Sequence, residues 1–145
     1  MNWSIDYSPL PVYIRVTTDG TASLEDTTAM WDEILASEFW KPGTSLLFDS
    51  GAVRRLGPGG YRLTQETAHY FISKNAEIGE SNIAVFRGHE EIYRFSSQFQ
   101  YAVRMRGSAV IIRNFSNEQT AVDWLSIIAH EDSEPPMTQT AGSDA

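Results

Sequence analysis

Three short, unbroken apolar runs constrain this chain most: Ser45-Leu46-Leu47-Phe48, Ile83-Ala84-Val85-Phe86 and Ala109-Val110-Ile111-Ile112. A strand with one wet face alternates apolar and polar residues; a run without alternation suits a strand covered on both faces. The segments between the runs carry apolar residues at helical spacing. Ser23 is placed to cap a helix whose apolar positions include Leu24, Trp31, Ile34 and Leu35, with Gly43 beyond its end. A second helix is expected from about Gly60 to Ile78, with Ala68, Phe71 and Ile72 on one side and Gly79 as its stop. Ile92, Phe95, Ser96, Phe99, Ala102 and Val103 form a third stripe. Ser116-Asn117-Glu118-Gln119 has the form of a capping box. It precedes Ala121, Trp124, Leu125, Ile128 and Ala129 at i, i+3, i+4, i+7 and i+8.

The beginning of the chain alternates instead. Trp3, Ile5 and Tyr7 share one face, and Val12, Ile14 and Val16 another, across the turn Ser8-Pro9-Leu10-Pro11. This predicts an antiparallel hairpin at a sheet edge, its second strand ending at Asp19-Gly20. The element order is β-β-α-β-α-β-α-β-α, which makes the fold α/β: a mixed, mostly parallel sheet with right-handed crossovers and an N-terminal antiparallel hairpin. At 145 residues the chain makes one domain, assigned to residues 1–130. From Glu131 on it has no large apolar residue except Met137, and reads as a flexible acidic tail, 131–145.

Charge and composition narrow the function. The net charge of −8 argues against nucleic acid as a partner. No apolar run approaches a membrane span, and the first residues carry no targeting signal, so an integral membrane protein is not expected and a cytoplasmic location is. With no cysteine, thiolate chemistry and disulfides are excluded. The charge is uneven: residues 1–53 carry −6, residues 54–113 carry +4 and residues 114–145 carry −6. The basic middle suits an anion or an acidic partner; the same arginines also suit ordinary solvated helix faces.

The glycine-rich stretch within that basic middle is the first candidate site. Gly57, Gly59 and Gly60 allow close backbone approach at the start of a helix, and Arg54, Arg55 and Arg62 flank them. An oxyanion or a partner carboxylate would suit this loop, as would a plain tight turn into a helix. The segment is neither a Walker loop nor a dinucleotide fingerprint. A second candidate is the crevice at the carboxyl ends of the parallel strands, bordered by Asp49, Ser50, Arg87, Gly88, His89 and Arg113. A third is an apolar cavity under the helices lined by Phe71, Phe95, Phe99 and Tyr101, against which stands the rule that cores are filled.

Catalytic motifs are lacking. His69, His89 and His130 have no metal-ligand spacing, and there is no Gly-x-Ser-x-Gly elbow. Asp49 suits a general base or a turn residue. No catalytic residue, metal or cofactor is therefore assigned.

The order of elements resembles that of STAS domains, and more closely the SpoIIAA-like family of small bacterial proteins. The features that carry the resemblance span about residues 3–128. They are the opening hairpin, the helix ending in Ser37-Glu38-Phe39-Trp40-Lys41-Pro42-Gly43 and the strand Leu46-Leu47-Phe48-Asp49. They continue with Ile83-Ala84-Val85-Phe86 and with Val110-Ile111-Ile112-Arg113-Asn114-Phe115 leading into Ala121-Val122-Asp123-Trp124-Leu125. In STAS-type anti-sigma-factor antagonists a strand ending in Asp is followed by a Ser that opens a helix and accepts phosphate from a kinase. Here Pro58 falls at that Ser, and Ser50 and Thr64 do not match it. The resemblance thus implies a non-enzymatic binding or regulatory module without the phosphorylation switch. Its partner would be a protein or a small anionic or apolar ligand, and a homodimer is compatible. Comparison of related domains with lipid-binding CRAL-TRIO folds adds weight to a carrier of a small apolar ligand. An enzyme acting on an anionic substrate at the crevice is a further alternative.

Overall fold

A computed structural model describes residues 1–56 and 60–133. Five strands form one sheet in the order β1-β2-β3-β4-β5. They are β1 (Asn2–Asp6), β2 (Ile14–Ala22), β3 (Leu46–Leu56), β4 (Asn82–Phe86) and β5 (Ile111–Phe115). β1 runs antiparallel to β2, and every other neighbouring pair is parallel. The helices are α1 (Leu24–Ala36), α2 (Gly60–Ser73), α3 (Asn75–Ile78), α4 (Glu90–Arg104) and α5 (Glu118–Ser133). The expected α/β architecture and order of elements are therefore present, with the long second helix divided into α2 and α3.

Because the parallel strands follow one another in a single direction, right-handed crossovers put all their helices on one face. The main core lies there. Met30, Trp31 and Ile34 of α1, Ala68 and Phe71 of α2, and Phe99 and Val103 of α4 pack on Ile14, Val16, Leu46, Phe48, Ile83 and Val85. The opposite face is covered by α5 alone, whose Ala121 and Leu125 meet Leu47, Ala84 and Phe86. β3 and β4 are thus apolar without alternation because both their faces are covered.

Several local expectations are corrected. Strand β2 does not end at Asp19-Gly20 but continues to Ala22. The ladder with β3 shifts register twice, between Thr17 and Asp19 and between Gly20 and Thr21, and β3 supplies the extra residue each time. Gly20, at φ 82°, takes up the irregularity without leaving the sheet. Strand β3 consequently reaches Leu56, and Arg54 and Arg55 lie on a strand rather than in a loop. Val12 precedes β2 and packs with the α5 side of the sheet, not with Ile14 and Val16.

The last apolar run is not central. β5 starts at Ile111 and forms a sheet edge, and α5 sits low enough over β4 to leave Ile111 43% exposed. Its backbone is served by a side chain: Gln100 accepts from the Ile112 N–H and donates to the Val110 carbonyl at 2.9 Å.

Helix starts follow local chemistry. Ser23 Oγ accepts from the Asp26 N–H at 3.2 Å, as its position implies. At α5 the capping group is Asn117, whose Oδ1 accepts from the Thr120 N–H at 3.0 Å, so the expected Ser116 cap is shifted by one residue. α5 runs through Ser133, which makes residues 131–133 helical rather than tail; the rest of the expected tail lies outside the described residues. Gly79 caps α3 at φ 68°. A Cβ there would stand 2.8 Å from the Gly43 nitrogen and 2.9 Å from the Pro42 Cβ.

Candidate functional site

The three candidate regions are very unequal once placed on the fold. In the first, Arg54 and Arg55 end strand β3, where Arg55 pairs with Thr21, and Gly60 opens α2. Gly57, Pro58 and Gly59 lie outside the described residues. Arg62 runs along the exposed surface of α2, its Nε donating to Glu66 Oε1 at 2.8 Å, and this pairing raises the guanidinium pKa further.

The second region is divided by the sheet. Asp49 and Ser50 are consecutive in β3 and so point to opposite faces. Asp49 stays with the strand-end crevice, lined also by Thr17, Gly51, Arg87, Gly88 and Tyr93. Ser50 faces the helices. Asp49 is buried and fully engaged. Its Oδ2 accepts from Arg87 Nη2 at 2.7 Å and from Arg15 Nη2 at 3.1 Å, and its Oδ1 accepts from the Gly51 N–H at 3.1 Å. Arg15 Nη1 in turn donates to Glu118 Oε2 of α5 at 3.0 Å. Both guanidinium groups lie by the Phe86 ring, 5.5 Å from its centroid for Arg15 and 5.2 Å for Arg87. Two cations therefore face two carboxylates in a closed network that joins β2, β3, the end of β4 and α5.

Both carboxylate oxygens of Asp49 are thus already taken by donors of the protein itself. Arg87 is the more exposed of the two cations, at 57% against 22% for Arg15. The expected crevice members His89 and Arg113 stand apart from this network. His89 occupies the N-cap position of α4 but its side chain does not bond the helix amides, and its Nε2 is buried without a partner among the described residues. Arg113 lies over Phe115 and Trp124, 5.5 and 5.3 Å from the ring centroids. Arg15 was not anticipated, because its contacts lie 34 and 103 residues away in sequence. Among the described residues no group of three His, Asp or Glu side chains is arranged to hold a metal ion.

The third region contains a space. Between the helix-bearing face of the sheet and α1, α2 and α4 lies a cavity of about 120 Å³. Trp31, Phe48, Phe71, Phe95 and Phe99 form much of its wall. Phe71 stands edge-on to both Trp31 and Phe99, with centroids 4.7 and 4.8 Å away, and Phe95 stacks on Phe99 at 6.0 Å. The expected lining residue Tyr101 is not part of it: two positions beyond Phe99 on the helix, it is turned outward and is 68% exposed.

Hydroxyl-bearing residues interrupt the apolar wall at Thr18, Thr27, Ser50, Thr67 and Ser96. Ser96 Oγ donates to the Ile92 carbonyl at 3.0 Å, whereas Thr67 Oγ1 has no hydrogen-bond partner. The helical spacing marks the apolar neighbours of Thr67 and not Thr67 itself. Leu63, Thr67 and Phe71 follow one another at four-residue spacing, and a small polar residue in that buried row was the available signal.

No protein-family model matches the chain, and no curated protein matches it. Among solved structures it is similar to an uncharacterized protein of the DUF3478 family from Shewanella loihica, whose crystal structure has a SpoIIAA-like fold. The likeness has a TM-score of 0.54 at 16% identity and covers 86% of this chain and 92% of that one. At that identity the fold is what the two share. The present chain therefore has a SpoIIAA-like fold, in agreement with the resemblance read from its sequence. No helix among the described residues is long and apolar enough to cross a membrane.

Proposed function

We propose that this domain is a non-enzymatic binding module that takes a small, mostly apolar ligand into the cavity between the sheet and the helices. The observation that carries the reading is the space of about 120 Å³ walled largely by aromatic rings. A ligand in that space would restore contacts its apolar walls lack, and an engineered cavity of about 150 Å³ already admits benzene. The non-enzymatic part rests on Asp49, which is held by Arg15, Arg87 and the Gly51 N–H rather than offered to a substrate.

The test is a titration of the full chain with toluene, followed by two-dimensional NMR. Saturable shifts confined to cavity residues such as Phe71 and Phe99 are expected. Native mass spectrometry of protein from its own cells should also show a small co-purifying mass. No saturable shift up to the solubility of toluene, with a clean apo mass, overturns the reading.

A second reading, a regulatory module for a protein partner, has its own supporting feature. β3 pairs with β4 only as far as Asp49, so its segment from Ser50 to Leu56, which carries Arg54 and Arg55, has no strand neighbour on that side among the described residues. An acidic partner strand is the kind of ligand that such an edge receives. Arg54→Ala with Arg55→Ala should abolish a pull-down that the wild type gives; partners that all survive the double change rule this edge out.

A further inference from the structure

β5 borders the sheet, with β4 on one side and, among the described residues, no strand on the other. The Ile111 N–H donates to the Ser81 carbonyl at 3.0 Å, on the β4 side. By alternation the peptide groups of Val110, Ile112 and Asn114 point away from β4, to where a further strand would pair. Side chains already serve the first of these groups. Ser108 Oγ accepts from the Val110 N–H at 3.1 Å. Gln100 Nε2 donates to the Val110 carbonyl at 2.9 Å, and Gln100 Oε1 accepts from the Ile112 N–H. A primary amide offers the same C=O and N–H as a strand peptide, so Gln100 stands in for a neighbouring strand. Beside it Ile111 is 43% exposed. An apolar residue on a bare edge strand favours pairing with another chain, and folds block such edges with side chains.

We propose that Gln100 is an edge guard: it occupies the hydrogen-bonding positions through which β5 would pair with β5 of a second copy, and so holds the chain back from self-association. A second copy fits this edge by symmetry. A twofold axis at Ile112 sets Ile112 opposite Ile112 and Val110 opposite Asn114, so that all the outward peptide groups are exchanged. The same register sets Ile111 opposite Arg113. The two arginines then do not face each other, and each exposed isoleucine is covered by an arginine stem. The inference concerns the outer edge of the sheet and is independent of what the cavity holds.

Amide exchange in the full chain tests the guard, and sedimentation tests what it prevents. In the wild type the Ile112 N–H should exchange about tenfold more slowly than that of Asn114, the next outward N–H along the strand. Gln100→Met keeps the length of the side chain and removes both hydrogen bonds. In that variant Ile112 should exchange about tenfold faster in dilute solution. The chain should dimerise as its concentration is raised, and Ile112 exchange should slow again as it does so. Gln100→Asn, one methylene too short to reach the strand, is a milder variant with the same expectations. Gln100→Met combined with Asn114→Pro lacks an outward N–H but keeps the ladder to β4, and should stay monomeric. Equal exchange of Ile112 and Asn114 in the wild type overturns the guard. Methionine and asparagine variants that stay monomeric at every concentration overturn the self-pairing, as does a dimer that survives Asn114→Pro.

Discussion

Arg87 reaches back from the end of β4 to Asp49 of β3, with Nη2 at 2.7 Å from Oδ2, and it does so from a left-handed backbone at φ 60°. It is the one residue other than glycine with positive φ among the described residues. A side chain with a Cβ is disfavoured in that conformation by about 1 kcal/mol or more. The ion pair and the contact with Phe86 hold the arginine there. At the next residue, Gly88, a Cβ would stand 3.0 Å from Ile92 and 3.1 Å from Tyr93 of α4, so those side chains would have to give by a few tenths of an ångström to admit one. The turn thus joins a strained arginine to a closely enclosed glycine.

This balance separates two substitutions at one position. Arg87→Ala loses the ion pair and keeps the strained backbone; Arg87→Gly loses the ion pair and relieves the strain. The glycine variant should be the more stable of the two by about 1 kcal/mol in urea denaturation. Asp49→Ala removes the shared acceptor of two cations and should cost more than either, about 2–3 kcal/mol. The usual penalty for unpairing a buried charge is reduced here by the exposure of Arg87. Equal stability of the alanine and glycine variants at position 87 would show that the backbone there is not strained.

Gly79 and Gly107 provide a second contrast. Both have positive φ, 68° and 90°, but a Cβ at Gly79 meets the Gly43 nitrogen and the Pro42 Cβ below 3.0 Å, whereas at Gly107 nothing lies within 4 Å. Gly107→Ala should therefore cost about 1 kcal/mol, the conformational term alone. Gly79→Ala should cost at least twice that, about 2–4 kcal/mol, because the Gly43 N–H also donates to the Ile78 carbonyl at 2.9 Å and cannot move freely. Denaturation midpoints of the two variants measure the difference.

What the sequence made legible was local. Ser23 as a cap, Leu46–Phe48 and Ile83–Phe86 as strands and the Phe95–Phe99 stripe all depend on spacing within a few residues. What it concealed depends on which neighbour a strand receives. The extension of β3 to Leu56 follows from two bulges against β2, and bulges leave no periodic trace. Ile111 is as apolar as Leu47, yet one lies at an edge and the other is fully buried, because strand order is a property of the assembled sheet. The sites suffered the same way. Asp49 and Ser50 look like one polar pair until the pleat sends them to opposite faces, and Arg15 joins Asp49 from a hairpin that looked purely structural.

The start of α5 is tested by a pair of alanine variants. Asn117 holds the Thr120 N–H at 3.0 Å and also contacts the Thr120 hydroxyl at 3.2 Å. Asn117→Ala should cost about 1 kcal/mol. Ser116→Ala should cost a few tenths at most, as expected of a residue outside the helix cap. Thermal melts of the two variants decide between the caps, and a larger loss at position 116 would restore the capping box.

Tyr70 predicts how stability responds to alkali. Burial pushes its phenol above the ordinary value of about 10, and the hydrogen bond its hydroxyl donates to Asp32 Oδ1 at 2.5 Å, with the charge of that carboxylate, pushes it further. The folded state therefore favours the protonated phenol, and the unfolded chain gives up its proton first. The stabilisation is whole below about pH 10, the pKa of a free tyrosine, and declines as pH rises through the folded-state value above it. Tyr70→Phe lacks both the hydrogen bond and the titration. The urea midpoint of the wild type should exceed that of the variant at pH 7 to 9, and the gap should narrow steadily from pH 10 upward as α1 and α2 lose their link. A gap that stays constant from pH 7 to 12 would mean that Tyr70 contributes only through packing of its ring.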